Sequence, residues 1–167
     1  MKELLTDAIE SPIGKIIIVA DEGKMIALDF ADYEERLMKL LKRRYDAIEF
    51  KPTIDPFGFS TRVKNYLAGD FKSLATIPVS TGGTAFQQQV WQALRDIPTG
   101  QTLTYSQLAA KIGRPKATRA VGMTNSLNPI AIVLPCHRVV GANHSLTGYA
   151  GGLERKHWLL RHEGARL

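Results

Sequence analysis

The turn Thr81-Gly82-Gly83 constrains this chain more than any other feature, because a helix start follows it at once and the residues on its two sides differ in pattern and charge. In Thr84-Ala85-Phe86-Gln87 a threonine and a glutamine three places on can each bond the other's backbone N–H, which closes two open donors of a helix N-terminus. A length of 167 residues leaves room for two small domains. We therefore expect an N-terminal domain over residues 1–83 and a C-terminal domain over 84–167. Before Thr84, 12 lysines and arginines meet 13 aspartates and glutamates; from Thr84 on, 10 meet 3. The net charge of +6 is thus a property of the second half, carried by Lys111, Arg114, Lys116, Arg119, Arg138, Arg155, Lys156, Arg161 and Arg166. That balance suits contact with a phosphate backbone, and a solvated basic face without a partner is the plain alternative.

In the first half, Ile16-Ile17-Ile18-Val19-Ala20 is a β-branched run, and Met25–Phe30 can pair back on it across Asp21-Glu22-Gly23. Tyr33–Tyr45 places Leu37, Leu40 and Leu41 at helical spacing among charges, as in an amphipathic helix laid on a small antiparallel sheet. Residues 50–59 read as loop, and Thr61–Leu67 as a short helix ended at Gly69. No cluster of catalytic residue types occurs there, so this half reads as scaffold.

In the second half, the helix begun at Thr84 presents Phe86, Val90, Ala93, Leu94 and Ile97 on one face and stops at Pro98-Thr99-Gly100. A second start, Thr104-Tyr105-Ser106-Gln107, opens a short helix with Leu108, Ala109 and Ile112. After Gly113-Arg114-Pro115 a third helix runs from Lys116 to about Ser126, with Ala117, Ala120, Val121 and Thr124 expected inside. Two short helices joined by a glycine turn form a helix-turn-helix, although the small residues of the second suit close approach to DNA better than reading of base edges. A helix pair that merely packs is the alternative.

Asn128-Pro129 then leads into the apolar, strand-like run Ile130–Leu134 and on to Pro135-Cys136-His137-Arg138-Val139. Cys136 is the single cysteine, which excludes intrachain disulfides, a cysteine zinc cluster and a resolving thiol. The bland reading is a small core residue. The adjacent imidazole and guanidinium supply the electropositive setting that favours a thiolate, but neighbours on a strand face opposite ways, so only a turn would bring Cys136 and His137 inward together.

These residues, with Gly148-Tyr149-Ala150-Gly151-Gly152-Leu153 and Lys156-His157-Trp158-Leu159-Leu160-Arg161-His162-Glu163-Gly164, resemble the active-site region of the O6-alkylguanine-DNA alkyltransferases. The likeness extends back through Thr84-Ala85-Phe86-Gln87, Tyr105–Ala109 and Arg119-Ala120-Val121-Gly122. The first half resembles the bacterial, constitutive, single-function branch more loosely. The resemblance implies an α+β protein: an N-terminal ribonuclease-H-like antiparallel sheet with a helix, and a mainly helical C-terminal domain with a winged-helix-like helix-turn-helix.

It also implies an activity and a set of roles. Cys136 would accept an alkyl group from guanine O6, and by extension thymine O4, in duplex DNA, once and irreversibly, after the nucleotide is rotated out. His137 would take the thiol proton through a water, with Glu163 orienting the ring. Tyr105 would donate to the extruded base, and backbone groups at Cys136, Val139 and Ala150 would hold its edges; the family often has serine where Ala150 stands. Arg119 would fill the vacated stack, with Ala120 and Gly122 allowing close approach and Arg114, Lys116 and Thr118 beside the DNA. Asn128 would tie the helix pair to the cysteine segment. Some relatives carry zinc on N-terminal cysteines; this chain has none there, so no metal and no cofactor are expected.

Other readings are a non-catalytic protein that binds alkylated DNA, which would lack the acceptor cysteine; a helix-turn-helix regulator; and a Cys-His hydrolase. No run approaches the length of a membrane helix, and Met1–Asp7 lacks the apolar core of a secretion signal. A cytoplasmic monomer without membrane contact is expected.

Overall fold

The computed structural model describes residues 1–166; Leu167, the last residue of the expected second domain, lies outside them. The chain forms two compact units, one ending at Gly82 and one beginning at Gly83. No described helix is long and apolar enough to cross a membrane.

The first unit is built on four strands: β1 (Lys2–Ile9), β2 (Ile16–Asp21), β3 (Lys24–Phe30) and β4 (Ile48–Pro52), in the order β3-β2-β1-β4. Of these, β1–β2 and β2–β3 are antiparallel and β1–β4 is parallel. The sheet is therefore mixed, which corrects the all-antiparallel expectation and turns residues 50–52 from loop into edge strand. A parallel neighbour is delivered by a long crossover, here through β2, β3 and the helix α1 (Glu34–Arg44), and leaves no local turn to reveal it. Leu37 and Leu41 of α1 pack with Leu4, Val19, Ile26 and Ala27 in one apolar cluster. The buried Asp29 of β3 accepts from Arg36 of α1 at 3.0 and 2.7 Å, locking helix to sheet. Helix α2 (Phe59–Leu67) starts two residues earlier than its sequence suggested and buries Phe59, Val63 and Tyr66.

The second unit opens with α3 (Ala85–Leu94), whose reciprocal Thr84–Gln87 cap is formed as expected. A two-residue strand β5 (Leu103–Thr104) precedes α4 (Tyr105–Lys111), which carries the second cap, Thr104–Gln107. Gly113, at φ +77°, makes the turn to α5 (Thr118–Ser126) in a left-handed conformation that costs glycine nothing. Helix α5 begins two residues later than expected, and Ala120 faces solvent instead of the interior; the buried positions are Val121, Thr124 and Asn125. Trp91 Nε1 donates to the Thr124 carbonyl at 2.9 Å and joins α3 to α5. The strand β6 (Val139–Val140) runs parallel to β5, and α6 (Leu153–His162) closes the unit.

The run Ile130–Leu134 is buried but is not a strand. It folds into tight turns, with Leu134 N bonded to the Ile130 carbonyl and Val133 N to the Ala131 carbonyl. Ile132 is held at φ +71°, a strained position for a β-branched side chain. Asn128 is the local cause: its Oδ1 accepts from Ile130 N at 3.0 Å and its Nδ2 donates to the Leu134 carbonyl at 2.7 Å, spanning the turns with one side chain.

Candidate active site

Directly after that braced segment, Cys136-His137-Arg138 forms one turn of 3-10 helix, and all three residues are buried. This turn answers the objection that neighbours on a strand would point apart. Cys136 is in no disulfide and is 5% exposed.

The helix α6 ends at Glu163, whose carboxylate collects the two residues after the cysteine. His137 Nε2 lies 2.8 Å from Glu163 Oε2, Arg138 Nε donates to Oε1 at 2.8 Å, and Arg138 Nη2 donates to Oε2 at 3.0 Å. Arg138 Nη1 also donates to the Ile97 carbonyl at 2.7 Å, so its guanidinium is committed inside the unit. Burial pushes the Glu163 carboxyl up, but His137 and Arg138 outweigh it and hold the group well below the ordinary carboxylate range. An ionised carboxylate can only accept, so His137 Nε2 carries the hydrogen and Nδ1 presents its lone pair. Nδ1 is buried and has no hydrogen-bond partner among the described residues. Burial, more than the opposing pull of Glu163, lowers the His137 pKa and keeps the ring a neutral base.

Tyr105, the first residue of α4, is half-buried, and its hydroxyl reaches the Thr147 and Gly148 carbonyls at long distances of 3.4 and 3.5 Å. Desolvation raises its phenol pKa, with Cys136 acting in the same sense, so it remains a donor. Gly122 of α5 lies beside the ring, where a Cβ would make ordinary van der Waals contact with it at 3.7 Å. Asn125, one helical turn further on, donates from Nδ2 to the Cys136 carbonyl at 3.3 Å. Val139 is fully buried with its carbonyl bonded by Lys156 at 2.6 Å, and Ala150 is half-buried in the segment before α6.

Of the residues expected at DNA, Gly122 adjoins Tyr105, and the others lie at the start of α5 and in the turn before it. Arg114, Lys116, Arg119 and Ala120 are exposed, and Thr118 and Gly122 are half-buried. Arg114 stacks its guanidinium over Phe86 at 5.7 Å. Met123, 69% exposed, shares the outer face of α5 with Arg119 and Ala120 and was not anticipated. Two of the basic residues counted toward a phosphate-facing surface, Arg138 and Lys156, are instead buried. Asn125 and Lys156 escaped the sequence reading of the site, and of the two Lys156 left a signal. Lys156, Leu159, Leu160 and Glu163 stand at i, i+3, i+4 and i+7, so the apolar face of α6 carries a lysine where a core residue would stand. Among the described residues, no group of three or more His, Cys, Asp or Glu could hold a metal ion.

A lone buried cysteine next in sequence to a histidine–carboxylate pair, on a unit that also presents a helix-turn-helix, is an arrangement suited to an enzyme with cysteine chemistry. Comparison with known proteins gives the family. Residues 4–81 match the ribonuclease-like domain of 6-O-methylguanine DNA methyltransferase, and residues 85–165 match its DNA binding domain. A methylated-DNA--protein-cysteine methyltransferase of Salmonella typhimurium is 48% identical over 170 residues, which span 100% of this chain and 99% of that one. A Mycobacterium tuberculosis protein of the same name is 41% identical over 161 residues, 95% of this chain and 91% of that one. A crystal structure of the Mycobacterium tuberculosis OGT in complex with DNA superposes with a TM-score of 0.80 at 37% identity, covering 97% of this chain and 92% of that one. The chain belongs to the 6-O-methylguanine DNA methyltransferase family and has its mixed α+β fold.

Proposed function

We propose that this protein removes an alkyl group from O6 of guanine, and from O4 of thymine, in duplex DNA by transferring it to Cys136. The observation that carries the reading is the buried His137, the residue next to Cys136, tied through Nε2 to an ionised Glu163 and keeping a buried, unpartnered Nδ1. Displacement at an alkyl carbon calls for a soft nucleophile, and thiolate is the best one in the chain. A water passes the thiol proton from Cys136 to His137 Nδ1. Sulfur then bonds to the alkyl carbon as the carbon–O6 bond breaks, and the electron pair goes to the purine. Tyr105 donates to the base while this charge develops, and a proton from solvent completes the guanine. The product is a neutral thioether. The thioether is chemically inert and the chain has no second cysteine to act in its place, so one molecule repairs one lesion.

DNA reaches the site through the second unit, and the first serves as scaffold. Arg119, on the exposed face of α5 with Ala120 and Met123, fills the gap left by the extruded nucleotide. Arg114, Lys116 and Thr118 flank the backbone, and the small Ala120 and Gly122 allow close approach to the DNA. Backbone groups at Cys136, Val139 and Ala150 hold the base edges, while Asn128 fixes the turn that aims the cysteine. The protein works as a monomer in the cytoplasm, where a reducing milieu preserves its thiol. A protein that binds alkylated DNA without chemistry would have no use for Cys136 and its proton acceptor.

Incubation with duplex DNA bearing one labelled O6-methylguanine, followed by intact-mass and peptide analysis, tests the reading. One methyl group should appear on the Cys136 peptide, with no further turnover. Label elsewhere, or catalytic turnover, overturns it.

A further inference from the structure

Lys156 is a buried titratable group with no part in the steps above. Its side chain lies on the inner face of α6 at zero exposure, and its three N–H bonds go to the carbonyls of Val139, Thr147 and Gly148 at 2.6, 2.7 and 3.2 Å. These acceptors saturate the ammonium as a donor but carry no net charge. Among the described residues no carboxylate pairs with it: Glu163, on the same face, is taken by His137 and Arg138. A cation held this far from water without an anion is costly, and burial lowers the Lys156 pKa to about 8. The one charge acting in the opposite sense is that of Cys136.

The same lysine touches the other side of the site. The Thr147 and Gly148 carbonyls that Tyr105 reaches only at 3.4 and 3.5 Å are those that Lys156 already fills at 2.7 and 3.2 Å. The phenolic hydrogen is therefore weakly held and can turn to a base. Lys156 interacts electrostatically with Cys136 and His137 on the 3-10 turn and shares the Thr147 and Gly148 carbonyls with Tyr105 on α4; its positive charge also helps keep His137 unprotonated.

We propose that Lys156 is a positioning residue of the transfer site: its buried ammonium is the fixed counter-cation of the Cys136 thiolate, and by occupying the Thr147 and Gly148 carbonyls it leaves the Tyr105 hydroxyl free to donate to the substrate base. The inference rests on the alkyl-transfer reading, but its electrostatic half is tested without DNA. Because Cys136 is the sole thiol, the pH dependence of its reaction with iodoacetamide gives the thiol midpoint in the full-length protein. In Lys156→Met the midpoint should rise by about one unit, lowering the thiolate fraction below that midpoint about tenfold, and Lys156→Arg, which keeps the cation, should restore it. An unchanged midpoint in folded Lys156→Met overturns the proposal.

If circular dichroism shows that Lys156→Met does not fold, the wild-type protein decides. The coupling is reciprocal, so capping Cys136 with methyl methanethiosulfonate, which leaves a neutral methyl disulfide, should lower the Lys156 titration midpoint followed by NMR by a similar amount, about one unit. A Lys156 midpoint indifferent to the cap overturns the proposal. Failure of the wild type to take label from O6-methylguanine DNA would instead remove the functional reading, and neither titration depends on it.

Discussion

His137 Nε2 and Glu163 Oε2 are 2.8 Å apart with both side chains at zero exposure. Glu163 is the residue that ends α6, and His137 lies in a 3-10 turn, so the contact joins two segments 26 residues apart. It fixes which nitrogen of the ring is basic. A carboxylate at the end of a helix faces the negative pole of the helix dipole, an unfavourable place that the two cationic or hydrogen-donating neighbours, Arg138 and His137, make tenable.

Glu163→Gln tests that orientation. The amide can still accept from His137, but it leaves the Arg138 guanidinium without its counter-charge and lets the imidazole adopt either tautomer. Transfer to Cys136 should slow by about tenfold to a hundredfold, within the range of a disturbed general base. Single-turnover rates at saturating DNA measure it. An unaltered rate in a folded variant removes Glu163 from the proton path.

The same pair makes stability depend on pH. The His137 pKa is lowered from its ordinary 6.5 and that of Glu163 from its ordinary 4.5, so for both groups the unfolded chain binds more protons than the folded one. The His137 contribution is complete above 6.5 and is lost as pH falls through its folded value; the Glu163 contribution is complete above 4.5 and is lost below. Urea midpoints should therefore hold from pH 7.5 to about 6.5 and fall from there toward pH 4, and Glu163→Gln should flatten the acid end of the profile. A variant profile parallel to wild type down to pH 4 contradicts the assignment.

Cys136→Ala separates chemistry from affinity. The thiol is buried in the site, whereas Arg119, Lys116 and Arg114 are exposed on the helix-turn-helix. The variant should lose transfer completely, bind duplex DNA within a factor of about three of wild type, and weaken as salt rises through loss of counterion release. Gel-shift titrations at several salt concentrations decide it. Loss of binding in a folded variant would place the cysteine in the DNA interface itself.

Asn128 is read as a brace for the cysteine segment. Asn128→Ala leaves Ile130 N buried without its partner, at a cost of about 1–3 kcal/mol, and takes from the Leu134 carbonyl one of its two donors, the other being Cys136 N at 2.7 Å. The strained Ile132 between them adds a reason for the turns to relax. Thermal unfolding should show the loss, and the Cys136 thiol should become reactive toward a bulky maleimide. A variant as stable as wild type with an equally protected thiol would deny Asn128 this role.

What the sequence made legible follows the range of each interaction. The two reciprocal caps at Thr84–Gln87 and Thr104–Gln107 lie within four residues, and both were readable as written. Strand β4 was not: Ile48–Pro52 pairs in parallel with β1 across the intervening elements of the unit, and its proline and flanking Asp55 and Gly58 look like loop from nearby. The family resemblance picked out Cys136, His137 and Glu163, whereas residue spacing alone could not tell a turn from a strand at Cys136. Charge was countable but its burial was not, so Arg138 and Lys156 enter the basic balance of the second half although both are buried. The i, i+3, i+4, i+7 spacing of Lys156 with Leu159, Leu160 and Glu163 held that information, and only the apolar reading of such a face hid it.

Arg119 is asked to do something different from the other exposed arginines. It stands in the first turn of α5, next to Ala120 and one helical turn from Met123, so a slim, partly apolar ridge surrounds one long cation. A wedge of that shape suits the gap in a base stack better than a phosphate, which asks only for charge. Extruding a nucleotide costs a few kcal/mol, and each 1.4 kcal/mol of lost compensation lowers the flipped population about tenfold. Arg119→Ala should therefore slow repair of O6-methylguanine in duplex DNA by about tenfold to a hundredfold, with far less effect on reaction with free O6-benzylguanine, which needs no extrusion. A mere phosphate contact would instead weaken DNA binding and reduce its salt slope by about one unit. Measuring both rates and the salt slope separates the cases, and equal loss on free base and duplex removes the wedge role, because only damage to the pocket or the fold slows both alike.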